Sequence, residues 1–170
     1  MSGPLILLAR PEPRAAAALD ALRAAHWPPP GARLPAHVTL VRQLPTSQAA
    51  DLLARVRAEA RGLPAPLARP LGFSERDAGV ALRLDCPALA ALHARLTEAW
   101  AALLAAPDRG PAWLHLTVAD GLEPRAVRRL VTHLEDSRPI APFRLDALEL
   151  WRWCPQGPHQ RAGRVALRPA

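Results

Sequence analysis

Pro111-Ala112-Trp113-Leu114-His115-Leu116-Thr117-Val118-Ala119-Asp120-Gly121 is the stretch on which the reading of this chain turns, because its centre occurs twice. Pro35-Ala36-His37-Val38-Thr39-Leu40 stands upstream. In each copy polar and apolar residues alternate with period two, the pattern of a half-buried β-strand. Residues two apart on a strand share a face, so His37 and Thr39 point one way while Val38 and Leu40 point the other. On a helix each His and Thr would diverge by about 200° and could do no joint chemistry. Six histidines and five threonines in 170 residues would give about 0.2 His-x-Thr tripeptides by chance. Two such strands brought together would set two imidazoles and two hydroxyls on one wall, a set suited to acid–base work on an anion. Left apart, they would be polar positions of edge strands facing water.

The chain around the two motifs falls into one order, taken twice. Pro4 to Arg10 reads as a strand and Arg14 to His26 as a helix stopped by Pro28-Pro29-Pro30, after which a loop to Pro35 delivers the first motif strand, His37 to Leu44. Thr46-Ser47 offers an N-cap for a helix that Gly62 ends, with Ala49, Leu52, Leu53, Val56 and Ala60 on one stripe. Leu67 to Ser74 and Val80 to Asp85 read as a hairpin turning at Arg76-Asp77. Then come a helix over Ala88 to Leu104, a loop over 107–111, the second motif strand from Trp113 to Asp120, and a helix opened by Pro124. Strands over Phe143 to Trp153 and Arg164 to Arg168 close the chain.

The shift that lays His37 on His115 also lays Leu44 on Leu122, Leu52 on Leu130 and Val56 on Leu134, and Val80-Ala81-Leu82-Arg83 recurs as Val165-Ala166-Leu167-Arg168. An internal duplication is the simplest account. The expectation is a single α+β domain over 1–170, in two lobes from repeat halves of about 4–85 and 86–170. Lobes related by a pseudo-two-fold would face their motif strands towards each other and make one site of two tripeptides.

Composition sets limits. Half the residues are apolar, which excludes a disordered chain. The formal charge is +7 and every basic residue is Arg, a field that favours a phosphate-bearing partner; the bias towards Ala, Leu, Pro and Arg also fits codon usage. Cys86 and Cys154 stand far apart and form no zinc or disulfide pattern. Met1-Ser2-Gly3-Pro4 has no basic leader, and Leu5 to Ala9 is too short an apolar run for a signal or spanning segment, so a cytoplasmic monomer without membrane contact is expected.

His37-Val38-Thr39-Leu40 and His115-Leu116-Thr117-Val118, their wide spacing and the helices flanking them make the chain resemble the two-histidine (2H) phosphoesterase superfamily, in particular its bacterial RNA 2′,3′-cyclic phosphodiesterases, also called 2′–5′ RNA ligases. The segment Leu148-Glu149-Leu150-Trp151 through Gly157-Pro158-His159 is similar to that family's terminal hairpin. The resemblance implies a bilobal fold whose antiparallel sheets meet in a groove with helices outside, and opening of a cyclic phosphate without metal or cofactor. The chain departs from the family where Ala36 separates Pro35 from His37, and it has no Tyr, so base stacking would fall to Trp.

The expected activity is therefore a cyclic phosphodiesterase acting on RNA ends or small cyclic nucleotides. His37 and His115 would form the acid–base pair, with Thr39 and Thr117 as oxyanion donors. Trp113, two residues before His115, is a candidate for stacking on a base or sugar, or a core residue between lobes. Arg42 is a candidate phosphate ligand that reaches the face of His37 only across a bulge. Trp151 and Trp153 share a face of the terminal hairpin. His26, His93 and His133 read as helix-surface or capping residues, and Asp120 falls on the face opposite His115. The other readings are a nucleotide- or RNA-binding module without turnover, and 2′–5′ end-joining through the same site.

Overall fold

The computed structural model describes residues 3–31, 34–137, 139–155 and 158–169. Met1, Ser2 and the Gly157 of the terminal segment lie outside the described residues, as do positions 32 and 33 of the loop before the first motif. The elements in chain order are β1 (Leu5–Pro11), α1 (Pro13–His26), β2 (Val38–Leu44), α2 (Ala49–Glu59), β3 (Leu67–Arg76), β4 (Gly79–Asp85), α3 (Pro87–Ala99), β5 (His115–Ala119), α4 (Pro124–Glu135), β6 (Phe143–Arg152) and β7 (Gln160–Ala166), with 3₁₀ turns at Thr46–Gln48 and Ala106–Asp108. This is the α+β architecture expected. None of the described helices is long and apolar enough to cross a membrane.

Proline sets three helix starts, Pro13, Pro87 and Pro124, where its fixed φ suits the first turn and its missing N–H costs nothing. Apolar stripes then anchor the helices: Leu52 and Val56 on α2, Leu89, Leu92 and Leu96 on α3, Val127 and Leu134 on α4, all buried. Boundaries differ from the sequence reading at several elements; the last strand, for one, runs over Gln160–Ala166 rather than Arg164 to Arg168. Thr46 caps nothing, because its hydroxyl donates to the Gly3 carbonyl at 2.8 Å, and α2 starts three residues later without a side-chain cap. α3 stops at Ala99 rather than Leu104; the Leu103 and Leu104 amides both turn back to the Trp100 carbonyl, and an Ala-Leu run cannot mark that turn.

The seven strands are all antiparallel, in the order β2-β1-β6-β3-β4-β5, with β7 on β6. β6 carries β7 along its C-terminal part but meets β3 only at Leu67–Arg144 and Ala68–Phe143. The sheet is thus pinched there into a four-stranded lobe, β2-β1-β6-β7, and a three-stranded lobe, β3-β4-β5. Twist curls the two parts round until the outermost strands, β2 and β5, touch. Each lobe draws on both halves of the chain. The β3–β4 hairpin pairs with motif strand β5 of the second half, and β6 and β7 complete the sheet begun by β1 and β2. The two Val-Ala-Leu-Arg copies accordingly sit differently: Val80–Arg83 lie in β4 between two strands, Val165 and Ala166 at the end of an edge strand.

Candidate active site

The motif strands are the two free ends of the sheet path, and their meeting forms the site. A cavity of about 280 Å³ is lined by Thr39 and Arg42 of β2, His115 and Thr117 of β5, Trp113 ahead of β5 and Arg76 at the end of β3. Of the residues singled out on sequence as chemical, Thr39, Arg42, Trp113, His115 and Thr117 are in this wall. His37 is not in the lining. It stands just before β2, half-buried, near enough to His115 for that ring's charge to act on its own protonation.

The two histidines are held by the same local device. His37 Nδ1 lies 2.7 Å from the Pro35 carbonyl and His115 Nδ1 lies 2.8 Å from the Trp113 carbonyl, in each case two residues back. A carbonyl only accepts, so Nδ1 carries the proton and the lone pair of each neutral ring sits on Nε2. Burial is the largest influence on His37 and lowers its pKa to about 4; Arg23, Arg10 and His115 push the same way, and the bond to Pro35 opposes them. His115 is also lowered, first by burial, then by Arg76 and Arg42, against the bond to Trp113. His37 is therefore neutral at pH 7 in the empty site.

A buried arginine ties the motif strands together. Arg23 of α1 is only 3% exposed. Its Nε donates to the Thr117 carbonyl at 3.1 Å, and Nη1 donates to the Leu34 carbonyl at 2.8 Å and to Asp20 Oδ1 at 3.0 Å. Asp20 Oδ1 in turn accepts from the Ala36 amide at 2.6 Å. Arg10 donates to the Ala36 carbonyl and stands 3.6 Å from buried Glu149, which also accepts from Trp151 Nε1 at 2.8 Å and Arg161 Nη1 at 3.1 Å. The backbone from Leu34 to Ala36 is thus fastened on both sides before the first motif begins.

Arg42 reaches the cleft across irregular pairing of β1 with β2, where the register shifts between Leu5 and Leu7 and again between Leu7 and Leu8. A bulge was the condition for it to share the face of the motif. Asp108, buried in the 3₁₀ turn, accepts from the Arg42 and Gln43 amides at 3.0 and 3.2 Å and from Arg42 Nε at 3.3 Å, which pins the second loop to the first motif strand. His93 is not a surface residue as expected: it is 5% exposed, set against the Leu40 carbonyl and the Asp108 carboxylate. Its helix packs that face inward, which an Ala-rich sequence does not reveal.

Arg76, read on sequence only as part of a turn, ends β3 and lines the cavity. Its guanidinium stands 4.6 Å from the Trp113 ring centroid and its Nη1 is 2.9 Å from His115 Nε2. Trp113 packs on His115 at 4.2 Å between centroids and stays 47% exposed. Trp151 is tied to Glu149, and Trp153 lies beyond the end of β6 on His159, 4.0 Å between centroids. His26 and His133 form an edge-on ring pair at 5.8 Å. Asp120 turns to the Gly121 amide at 2.8 Å. Cys86 is a buried free thiol. Among the described residues no three His, Cys, Asp or Glu side chains are grouped to hold a metal ion.

The family profile of the 2′-5′ RNA ligase superfamily matches residues 11–155. The chain belongs to that superfamily, the 2H phosphoesterases. Among solved structures, E. coli LigT in complex with 3′-AMP aligns with a TM-score of 0.63 at 16% identity, over 99% of each chain. TT0787 of Thermus thermophilus aligns at 0.56 and 18% identity, again over 99% of each chain. Identities this low establish the shared fold. No curated protein matches the chain.

Proposed function

We propose that this 2H phosphoesterase opens 2′,3′-cyclic phosphates, at RNA ends or on small nucleotides, with its own side chains as the only catalysts. The observation that carries the reading is the matched pair of histidines, each with Nδ1–H committed to a carbonyl two residues back, beside a cavity shared by Thr39, His115 and Thr117. His37, neutral at pH 7, takes a proton from water as the water oxygen bonds to phosphorus. One ester P–O bond breaks, and His115 gives its proton to the departing sugar oxygen. Thr39 and Thr117 donate to the non-bridging oxygens where negative charge grows. Arg42 neutralises the phosphate and the exposed part of Trp113 receives the base or ribose. A cavity of about 280 Å³ is small for a ligand pocket and suits the phosphate and sugar, with the rest of an RNA outside.

The deciding experiment incubates the protein with 2′,3′-cyclic nucleotides and with cyclic-phosphate-ended RNA, with EDTA present throughout, and looks for the monophosphate. Saturable binding without product would replace this reading with that of a binding module. Activity lost to EDTA and restored by a divalent ion would replace the side-chain mechanism with a metal-assisted one.

The proton inventory fixes the sign of the pH dependence. The base must be neutral and the acid charged, so kcat/KM, which reports the free protein, falls below the His37 value of about 4. It falls again above the His115 value, which lies under the ordinary 6.5. The expected kcat/KM optimum lies between these limits, on the acid side of neutrality. A kcat/KM profile still climbing above pH 7 contradicts the assignment.

A further inference from the structure

Nη1 of Arg76 is 2.9 Å from Nε2 of His115 and 3.4 Å from Nδ1. A donor aligned with the Nε2 lone pair would stand about 2 Å farther from Nδ1 than from Nε2, the width of the ring. The two distances are instead nearly equal, so the guanidinium N–H lies over the face of the imidazole. The guanidinium also lies against Trp113, which itself packs on His115, and all three side chains line the cavity. A cation in contact with an imidazole face is compatible with the neutral ring and repels the charged one.

The surroundings of His115 act in the same direction. Arg76 faces it from β3, Arg42 from β2, and His37 from the segment ahead of β2, while Arg83 is its register partner on β4. Asp77 sits 3.8 Å from Nε of Arg76 at the exposed tip of the hairpin. The empty cleft is built to keep His115 uncharged, whereas a general acid must arrive at the reaction carrying a proton. Something has to reverse the balance, and the chemistry of the cleft names it. A phosphate anion pairs with a guanidinium through charge-assisted bonds that are stronger than stacking on a neutral ring.

We propose that Arg76 is a positioning residue that lies on His115 only while the site is empty: an incoming phosphodiester draws the guanidinium off the ring, and His115, now beside an anion, takes up the proton it will donate. The substrate thereby arms its own acid. The inference rests on reading the cleft as a phosphate site, and its test does not depend on turnover.

Sulfate is the probe, because it does not titrate in the range of interest. The His115 ring proton, assigned from the spectrum of His115→Ala, is followed by NMR against pH with and without sulfate. In the wild type, sulfate is expected to raise the apparent pKa of His115 by about one unit. Arg76→Met is expected to raise it without sulfate, to reduce the further rise on adding sulfate, and to weaken sulfate binding about tenfold. Arg76→Lys keeps the charge but not the flat stack; sulfate affinity should recover while the His115 pKa without sulfate stays above wild type, and this variant carries the test if Arg76→Met fails to fold. A wild-type His115 indifferent to sulfate, or Arg76 variants with wild-type titration and sulfate affinity, would overturn the role of Arg76. Failure to release product from cyclic nucleotides with the titrations as expected would overturn the proposed activity alone.

Discussion

His115→Ala and His37→Ala should each turn over a 2′,3′-cyclic nucleotide about 10²–10⁴-fold more slowly than the wild type, the contribution expected of one positioned acid or base. Neither change should cost much stability, since neither ring belongs to the hydrophobic core. Unfolding midpoints near the wild-type value would separate lost chemistry from lost structure. The acid and base serve one proton transfer chain, so the double variant should lose far less than the product of the two single losses. Near-normal turnover by either single variant removes that histidine from the mechanism.

Arg23→Met should damage both folding and turnover, although Arg23 is absent from the cavity lining. Methionine matches the length of the side chain but removes the donors to the Thr117 and Leu34 carbonyls and the charge that faces Asp20. Two buried carbonyls lose their partners, and the expected cost is about 2–4 kcal/mol in denaturant unfolding. Turnover by the folded fraction should fall about 10–100-fold, because the tie that sets β2 against β5 is gone and small misplacements of reacting groups are costly. Loss of stability with full activity would show that the motif strands find their places without Arg23.

What the sequence disclosed and what it hid divide along distance in the chain. Period-two alternation put His115 and Thr117 on one face, and Pro124 marked a helix start, because both signals are local. Arg76 acts on a histidine far along the chain, and Arg23 on a carbonyl farther still. In a chain with 22 basic residues, all of them Arg, nothing local marks these two. The same limit applied to the strands. Repeated element order identified two copies of helix, strand, helix and hairpin, but not that each hairpin pairs in the sheet that holds the other motif strand. Thr46 looked like a cap by residue type, and a partner upstream at Gly3 took its hydroxyl instead.

The pairing of β1 with β6 joins Leu5 to Arg152, so β1, once made, waits for a strand that is synthesised only after α4. Until then β1 and β2 form a two-stranded ribbon with one long apolar edge unpaired, and such an edge invites strands from other chains. Folding of this unit therefore depends on closure between the Leu5 and Arg152 regions, and contacts so far apart in sequence form slowly. During synthesis its hazard is aggregation at that waiting edge.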